Sequence, residues 1–172
     1  PKHDDGPVNA GEKRLLDYLC VKLPNNYIVI PNCNFAITGP NHVMKYWEYD
    51  CIVVAPHAIY HIENKDWGGN LEGDDYAWFR SGQEVANPHK TAGLKSRILA
   101  SKLKNQHPDW NFGQIITFVT LSNPQQSKFG LDPQCECYKQ TFTLNNDLIE
   151  FLTDNELVGR NQHAISSLQN GL

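Results

Sequence analysis

Residues 47–65 read WEYDCIVVAPHAIYHIENK. Two runs rich in β-branched and aromatic residues flank the turn-like APHA of residues 55–58, so the stretch predicts a β-hairpin. With the turn centred between Pro56 and His57, Asp50 falls opposite Glu63 and Glu48 opposite Lys65. Opposed side chains stand about 4.5–5.5 Å apart at Cβ. Three carboxylates and one ammonium are therefore expected at one end of one sheet face. That face continues with Ile52, Val54 and Ile59, while Cys51, Val53, Tyr60 and Ile62 line the other, so both faces are expected to be covered.

Adjacent carboxylates in such a place repel and are costly to desolvate unless a cation neutralises them or one takes up a proton. A hard divalent ion such as Mg²⁺ resolves the conflict, because it accepts a few carboxylates, waters and a phosphate oxygen. Lys65 is then placed to polarise a water or to neutralise charge on a phosphate. The same residues would equally make a cross-strand salt-bridge cluster without chemistry.

Upstream, Asn9 and Glu12 form a capping-box pattern ahead of Leu15, Leu16, Leu19 and Leu23, which predicts a first helix ending before Pro24. Glu12 shares the inward face with those leucines, and it also suffices as the capping glutamate. Further strands are expected at residues 27–37 (YIVIPNCNFAI) and 114–121 (QIITFVTL). Asn87-Pro88 opens a basic helix running to about Asn105, and Asn146 or Asp147 opens a short C-terminal one. The order of helix, three strands, loop hairpin, helix, strand and helix predicts an α/β sandwich around a mixed sheet.

The chain has 172 residues and a net charge of −4, enough for one domain with a real core and too little basic excess for whole-surface nucleic-acid binding. Local contacts are expected instead from the second helix. Lys90, Arg97 and Lys104 recur on one line, and Lys95 and Lys102 lie on another, a stripe suited to phosphates and equally to a solvated face. Trp67, Trp78 and Phe79 offer flat rings for base stacking, or cover for a core edge. Five cysteines form an odd set without a second pair at zinc-ribbon spacing, so free thiols in a reducing cytoplasm are expected. No signal-like or membrane-spanning apolar run is visible.

Taken together, Gly11-Glu12, Glu48-Tyr49-Asp50, Ile62-Glu63-Asn64-Lys65, Asp66-Trp67-Gly68-Gly69, Trp78 and Asn87-Pro88 resemble the nuclease-related domain family, NERD, over about residues 9–121. That family is assigned to the PD-(D/E)xK nuclease superfamily. The resemblance implies an α/β, restriction-endonuclease-like mixed β-sheet flanked by helices, in one domain spanning 1–172 with a core at about 9–121 and an extension beyond. It implies a Mg²⁺- or Mn²⁺-dependent endonuclease acting on DNA. Asp50, Glu63 and the Asn64 backbone carbonyl would hold the metal, Lys65 would be the catalytic lysine, and Glu12 the helix-borne acid. Family members often carry glutamine four residues after the asparagine of the N-P pair; Thr91 stands there instead. The resemblance also implies a bacterial anti-phage setting, with this chain excised from a protein whose downstream part is a serine/threonine kinase domain.

Overall fold

A computed structural model describes residues 9–38, 43–110 and 114–154. The hairpin predicted from residues 47–65 is its centre. Strand β2 (Met44–Val54) pairs antiparallel with β3 (Ile59–Lys65) in the expected register, Cys51 facing Ile62 and Val54 facing Ile59. The turn closes through the Ala55 N–H donating to the Ala58 carbonyl at 2.9 Å. On its other side β2 pairs antiparallel with β1 (Ile28–Thr38), an edge strand in which Pro31, lacking an N–H, is tolerated.

Beyond β3, where the sequence predicts a loop hairpin, the chain makes a small antiparallel sheet from β4 (Leu71–Gly73), β5 (Trp78–Arg80) and β6 (Gln83–Val85). Helix α2 (Pro88–Gln106) follows, its Asn87 side chain capping the His89 N–H with proline at the first turn. The chain then returns as β7 (Ile116–Leu121), parallel to β3. A short helix, α3 (Glu136–Lys139), leads into β8 (Thr141–Thr143), parallel to β7, and α4 (Asn146–Thr153) ends the described chain with Asn145 as its cap. The main sheet thus runs β1-β2-β3-β7-β8, a mixed sheet flanked by helices as the sequence predicts. Among the described residues no helix is long and apolar enough to cross a membrane, and no disulfide forms.

Each sheet face has its own helices. On one, Cys51, Val53, Tyr60, Ile62 and Phe118 pack against Leu15 and Leu19 of the first helix, α1 (Ala10–Lys22), and Leu148 and Leu152 of α4. On the other, Tyr49, Ile52, Val54 and Ile59 pack against Leu99 of α2. β8 and α4, beyond Leu121, thereby belong to the same core as the hairpin.

Tyr49 breaks the expected alternation. It joins Ile52 and Val54 on the α2 side, not Cys51, so β2 changes face at Asp50. The adjoining residue of β1 is Asn32, lying between the Pro31–Cys51 and Cys33–Tyr49 pairs with φ 45°. Asparagine tolerates that left-handed geometry better than most residues. The Tyr49 hydroxyl donates to the Lys95 carbonyl of α2 at 2.8 Å and fixes the new direction.

Helix α1 begins with the predicted capping box: Asn9 Oδ1 accepts from the Glu12 N–H at 3.0 Å, and Asn9 Nδ2 donates to Glu12 Oε1 at 2.6 Å. Gly11 lets this first turn close onto the ends of β3 and β7, since a Cβ there would collide with Asp66 Cβ and lie 2.9 Å from Ser122 Oγ. Replacing a helical glycine by alanine usually gains up to about 1 kcal/mol. Overpacking costs about 1–3 kcal/mol, and neither obstacle is the tip of a long side chain. Gly11→Ala is therefore expected to lower the unfolding midpoint by a few degrees, measured by thermal denaturation; an unchanged or raised midpoint would contradict this packing.

Candidate active site

The end of β3 beside β7 gathers the chemistry. Alternation along β3 turns His61, Glu63 and Lys65 toward α2 and Ile62 and Asn64 toward α1. Asn64 is clamped on its own side: its Nδ2 donates to Ser122 Oγ at 3.0 Å, and the Thr120 hydroxyl donates to its Oδ1 at 2.8 Å. Its backbone N–H donates to Asp50 Oδ2 at 2.7 Å. In a strand a residue's N–H and C=O point the same way, so the Asn64 carbonyl also faces the side that holds Asp50.

Glu63 is only 3% exposed, and each of its oxygens holds a lysine. Lys65 donates to Oε1 and Lys95, from α2, to Oε2, both at 2.8 Å. Burial alone would push the Glu63 carboxyl up, but the two lysines more than reverse this, and it lies below its ordinary value. His61 Nε2 lies 4.0 Å from Glu63 Oε2 and is buried without a hydrogen-bond partner, while its Nδ1 bonds Ser96 Oγ at 2.8 Å. Burial pushes this imidazole down to about 4, so it is neutral near pH 7 and adds no charge.

Asp50 behaves oppositely. Burial and then the Glu63 charge push its carboxyl up to about 6, against the lowering effect of the Asn64 N–H and of the two lysines. No ion pair reaches it among the described residues. A carboxylate in this situation is stabilised by any cation brought beside it.

Several expected positions differ. Pairing between β2 and β3 stops at Cys51–Ile62, and Glu48 lies exposed opposite Asn34 of β1. The expected cluster of three carboxylates is therefore two, because β2 turns away at Asp50. Glu12 bonds Asn9 on the α1 turn that stands over the ends of β3 and β7, beside Arg14, which donates to the Ser122 carbonyl at 3.0 Å and pairs with Asp66. Along α2, Lys90, Arg97 and Lys104 are exposed, and Lys102 lies 4.5 Å from the Phe35 ring centre. Lys95 leaves the outer stripe and turns inward, its side chain 13% exposed. It stands three residues after Ala92 and four before Leu99, both buried, and this spacing marks the inner face. Trp78 is fully buried with its edge toward Trp67, so it covers a core and cannot stack on a base. Thr91 is exposed.

Among the described residues no three His, Cys, Asp or Glu side chains converge as a metal cluster. The donors nearest to such a set are oxygens: Asp50 accepts from the Asn64 N–H and feels the Glu63 charge, and the Asn64 C=O faces the Asp50 side. All-oxygen sets with few carboxylates suit Mg²⁺ and Mn²⁺. The raised Asp50 is the feature such an ion would relieve, so these residues fit a divalent cation.

A family model described as the nuclease-related domain, NERD, matches residues 7–122, more than half of the chain. No curated protein and no solved structure matches it.

Proposed function

The chain belongs to the nuclease-related domain family, and from that membership we propose that it is a Mg²⁺- or Mn²⁺-dependent phosphodiester hydrolase acting on DNA, with water as nucleophile. The observation that carries this reading is the pairing of Asp50, short of a cation, with the buried Glu63–Lys65 ion pair at the end of a strand. Asp50, Glu63 and the Asn64 carbonyl would hold the metal. When bound, the ion polarises a phosphate oxygen and makes a water more acidic.

The chain's own groups do the rest. Lys65 is a quarter exposed, so its ammonium can turn from Glu63 Oε1 to a water or to a phosphate oxygen where charge develops. Glu63 holds that ammonium in place through Oε1. Thr120 and Ser122 fix the Asn64 side chain, and through it the strand end that carries the carbonyl. Glu12, on the adjoining helix turn, is the acid that the family resemblance assigns to the site's edge. The direct test is thermal denaturation with and without Mn²⁺: the native chain is expected to gain stability, and Asp50→Asn to gain none. Equal gains would remove Asp50 from the site.

DNA would lie along the exposed face of α2. Removing one phosphate contact reduces the slope of log K against log salt by about 0.9. Replacing Lys90, Arg97 and Lys104 together by glutamine should therefore lower the slope by roughly 2–3 and weaken binding to all sequences alike. An unchanged slope in filter-binding titrations would move the DNA elsewhere.

One observation favours a second reading. Both Glu63 oxygens already hold lysines, so the cluster is satisfied as a salt-bridge network. The domain would then be a silent nuclease-fold module that binds DNA or regulates an attached kinase, and divalent ions would leave its unfolding midpoint unchanged. The anti-phage setting and the kinase rest on the family resemblance; the source gene downstream of the Leu172 codon would encode a kinase glycine loop if that part holds.

A further inference from the structure

Lys95 lies on α2, outside the family's motifs, yet among the described residues it makes one of the most buried ion pairs. Its ammonium lies 2.8 Å from Glu63 Oε2, with side-chain exposures of 13% and 3%. His61 Nε2 stands 4.0 Å from the same oxygen and is buried without a hydrogen-bond partner. Lys95 is thus the cation that holds Glu63 Oε2 from the α2 side, as Lys65 holds Oε1.

The charge balance is informative. Asp50, Glu63, Lys65 and Lys95 sum to zero without any metal. Adding a divalent ion to this set would leave two positive charges in a confined place, whereas moving one ammonium out leaves one, which a phosphodiester then cancels. Lys95 is better placed to move than its backbone suggests. Its carbonyl is pinned by the Tyr49 hydroxyl, but its four-carbon stem is flexible and its side chain keeps 13% exposure, so the ammonium has a way out to solvent.

We infer that Lys95 is a built-in placeholder: its ammonium occupies the cation position on Glu63 Oε2 in the metal-free protein, and a divalent ion displaces it from that oxygen toward solvent. This inference rests on the metal-dependent reading above. Lys95 is a positioning residue in the resting state, holding Glu63 Oε2 before the ion arrives, and it makes the ion compete for its place.

The test has two arms on the full chain. In the first, Lys95 acetylation by a lysine-selective reagent is followed by peptide mass spectrometry, with and without Mn²⁺. Displacement predicts a severalfold faster reaction at Lys95 when Mn²⁺ is present, with Lys104 as the unchanged control. In the second, Mn²⁺ binding is measured by electron paramagnetic resonance for the native chain and for Lys95→Gln, whose amide keeps a hydrogen bond to Glu63. Loss of the competing charge predicts roughly tenfold tighter binding by the variant. Lys95→Met repeats the measurement should the glutamine variant fold poorly. Mn²⁺ binding by the native chain with unchanged Lys95 labelling, or equal affinity in native and variants, would overturn the placeholder alone. Absence of Mn²⁺ binding in native and variants alike would overturn it together with the metal-dependent reading.

Discussion

Lys65→Ala is expected to lower DNA cleavage by about two to three orders of magnitude, the usual cost of removing one charge-stabilising donor from a hydrolytic site. The fold should survive, because Glu63 keeps Lys95 on Oε2 at 2.8 Å and so is not left without a cation. Glu63→Ala is a poorer probe of the same idea. It would strand Lys65 and Lys95 beside a cavity, and breaking a buried pair in this way costs about 3–5 kcal/mol. Activity lost there would be lost partly through unfolding. Glu63→Gln keeps the shape, removes the charge, and should be inactive while folded. Retention of more than about a tenth of the native rate by Lys65→Ala, with its unfolding midpoint unchanged, would take the lysine out of the reaction.

Asp50→Asn carries the second large effect, and its sign is opposite for stability and for activity. The Asp50 carboxyl ordinarily titrates near 3.8 and in the folded chain near 6. Between those values the folded state binds more protons than the unfolded state, so stability falls as pH rises through the window. Above about pH 6 the charged Asp50 opposes folding by about 2 kcal/mol once partial solvent screening is allowed for. Asparagine removes that charge and still accepts the Asn64 N–H. In chelator at pH 8 the variant should therefore unfold several degrees higher than the native chain, and the difference should vanish near pH 4. Glu63, held below its ordinary value by its lysines after burial has pushed it up, loses its contribution as pH falls, but it does so in both proteins and cancels in the comparison. In saturating Mn²⁺ the order should reverse or close, because only the native chain is stabilised. Metal affinity of the native chain should fall below pH 6 as Asp50 takes up its proton. A variant less stable than native at pH 8 would show that the Asp50 charge supports the fold, and the reasoning from its raised proton affinity would fail.

The hairpin register is legible because two features of the sequence agree: runs rich in β-branched and aromatic residues on either side, and the APHA turn between them. That agreement alone puts Glu63 near Asp50. What it could not reveal is the change of face at Asp50, which depends on a left-handed Asn32 in the neighbouring strand and on a tyrosine hydroxyl caught by a helix carbonyl forty-six positions away. Glu48 is absent from the cluster for that reason. The cap at Asn9 and its glutamate are readable because capping is local, with both partners within one turn. Strand β8 is not, since three residues, Thr141–Thr143, carry too little pattern and owe their conformation to the β7 edge they join. Lys95 departs from the outer basic stripe for a related reason. Charge alone suggests solvent, but the buried neighbours Ala92, Ser96 and Leu99 define an inner face, and its spacing outweighs the usual preference of lysine for water.

Whether Asp50, Glu63 and Lys65 form a metal-dependent phosphodiesterase site is decided most directly by nicking of supercoiled plasmid. The native chain is incubated in Mg²⁺ or Mn²⁺ beside Glu63→Gln and Lys65→Ala purified in parallel, with a chelator control. A working site converts the plasmid to open-circular or linear DNA with the native chain, and this conversion disappears in chelator and in both variants. Intact supercoiled plasmid with the native chain, together with an unfolding midpoint that Mn²⁺ does not move, would contradict it and leave Glu63 with its two lysines as a structural salt-bridge network.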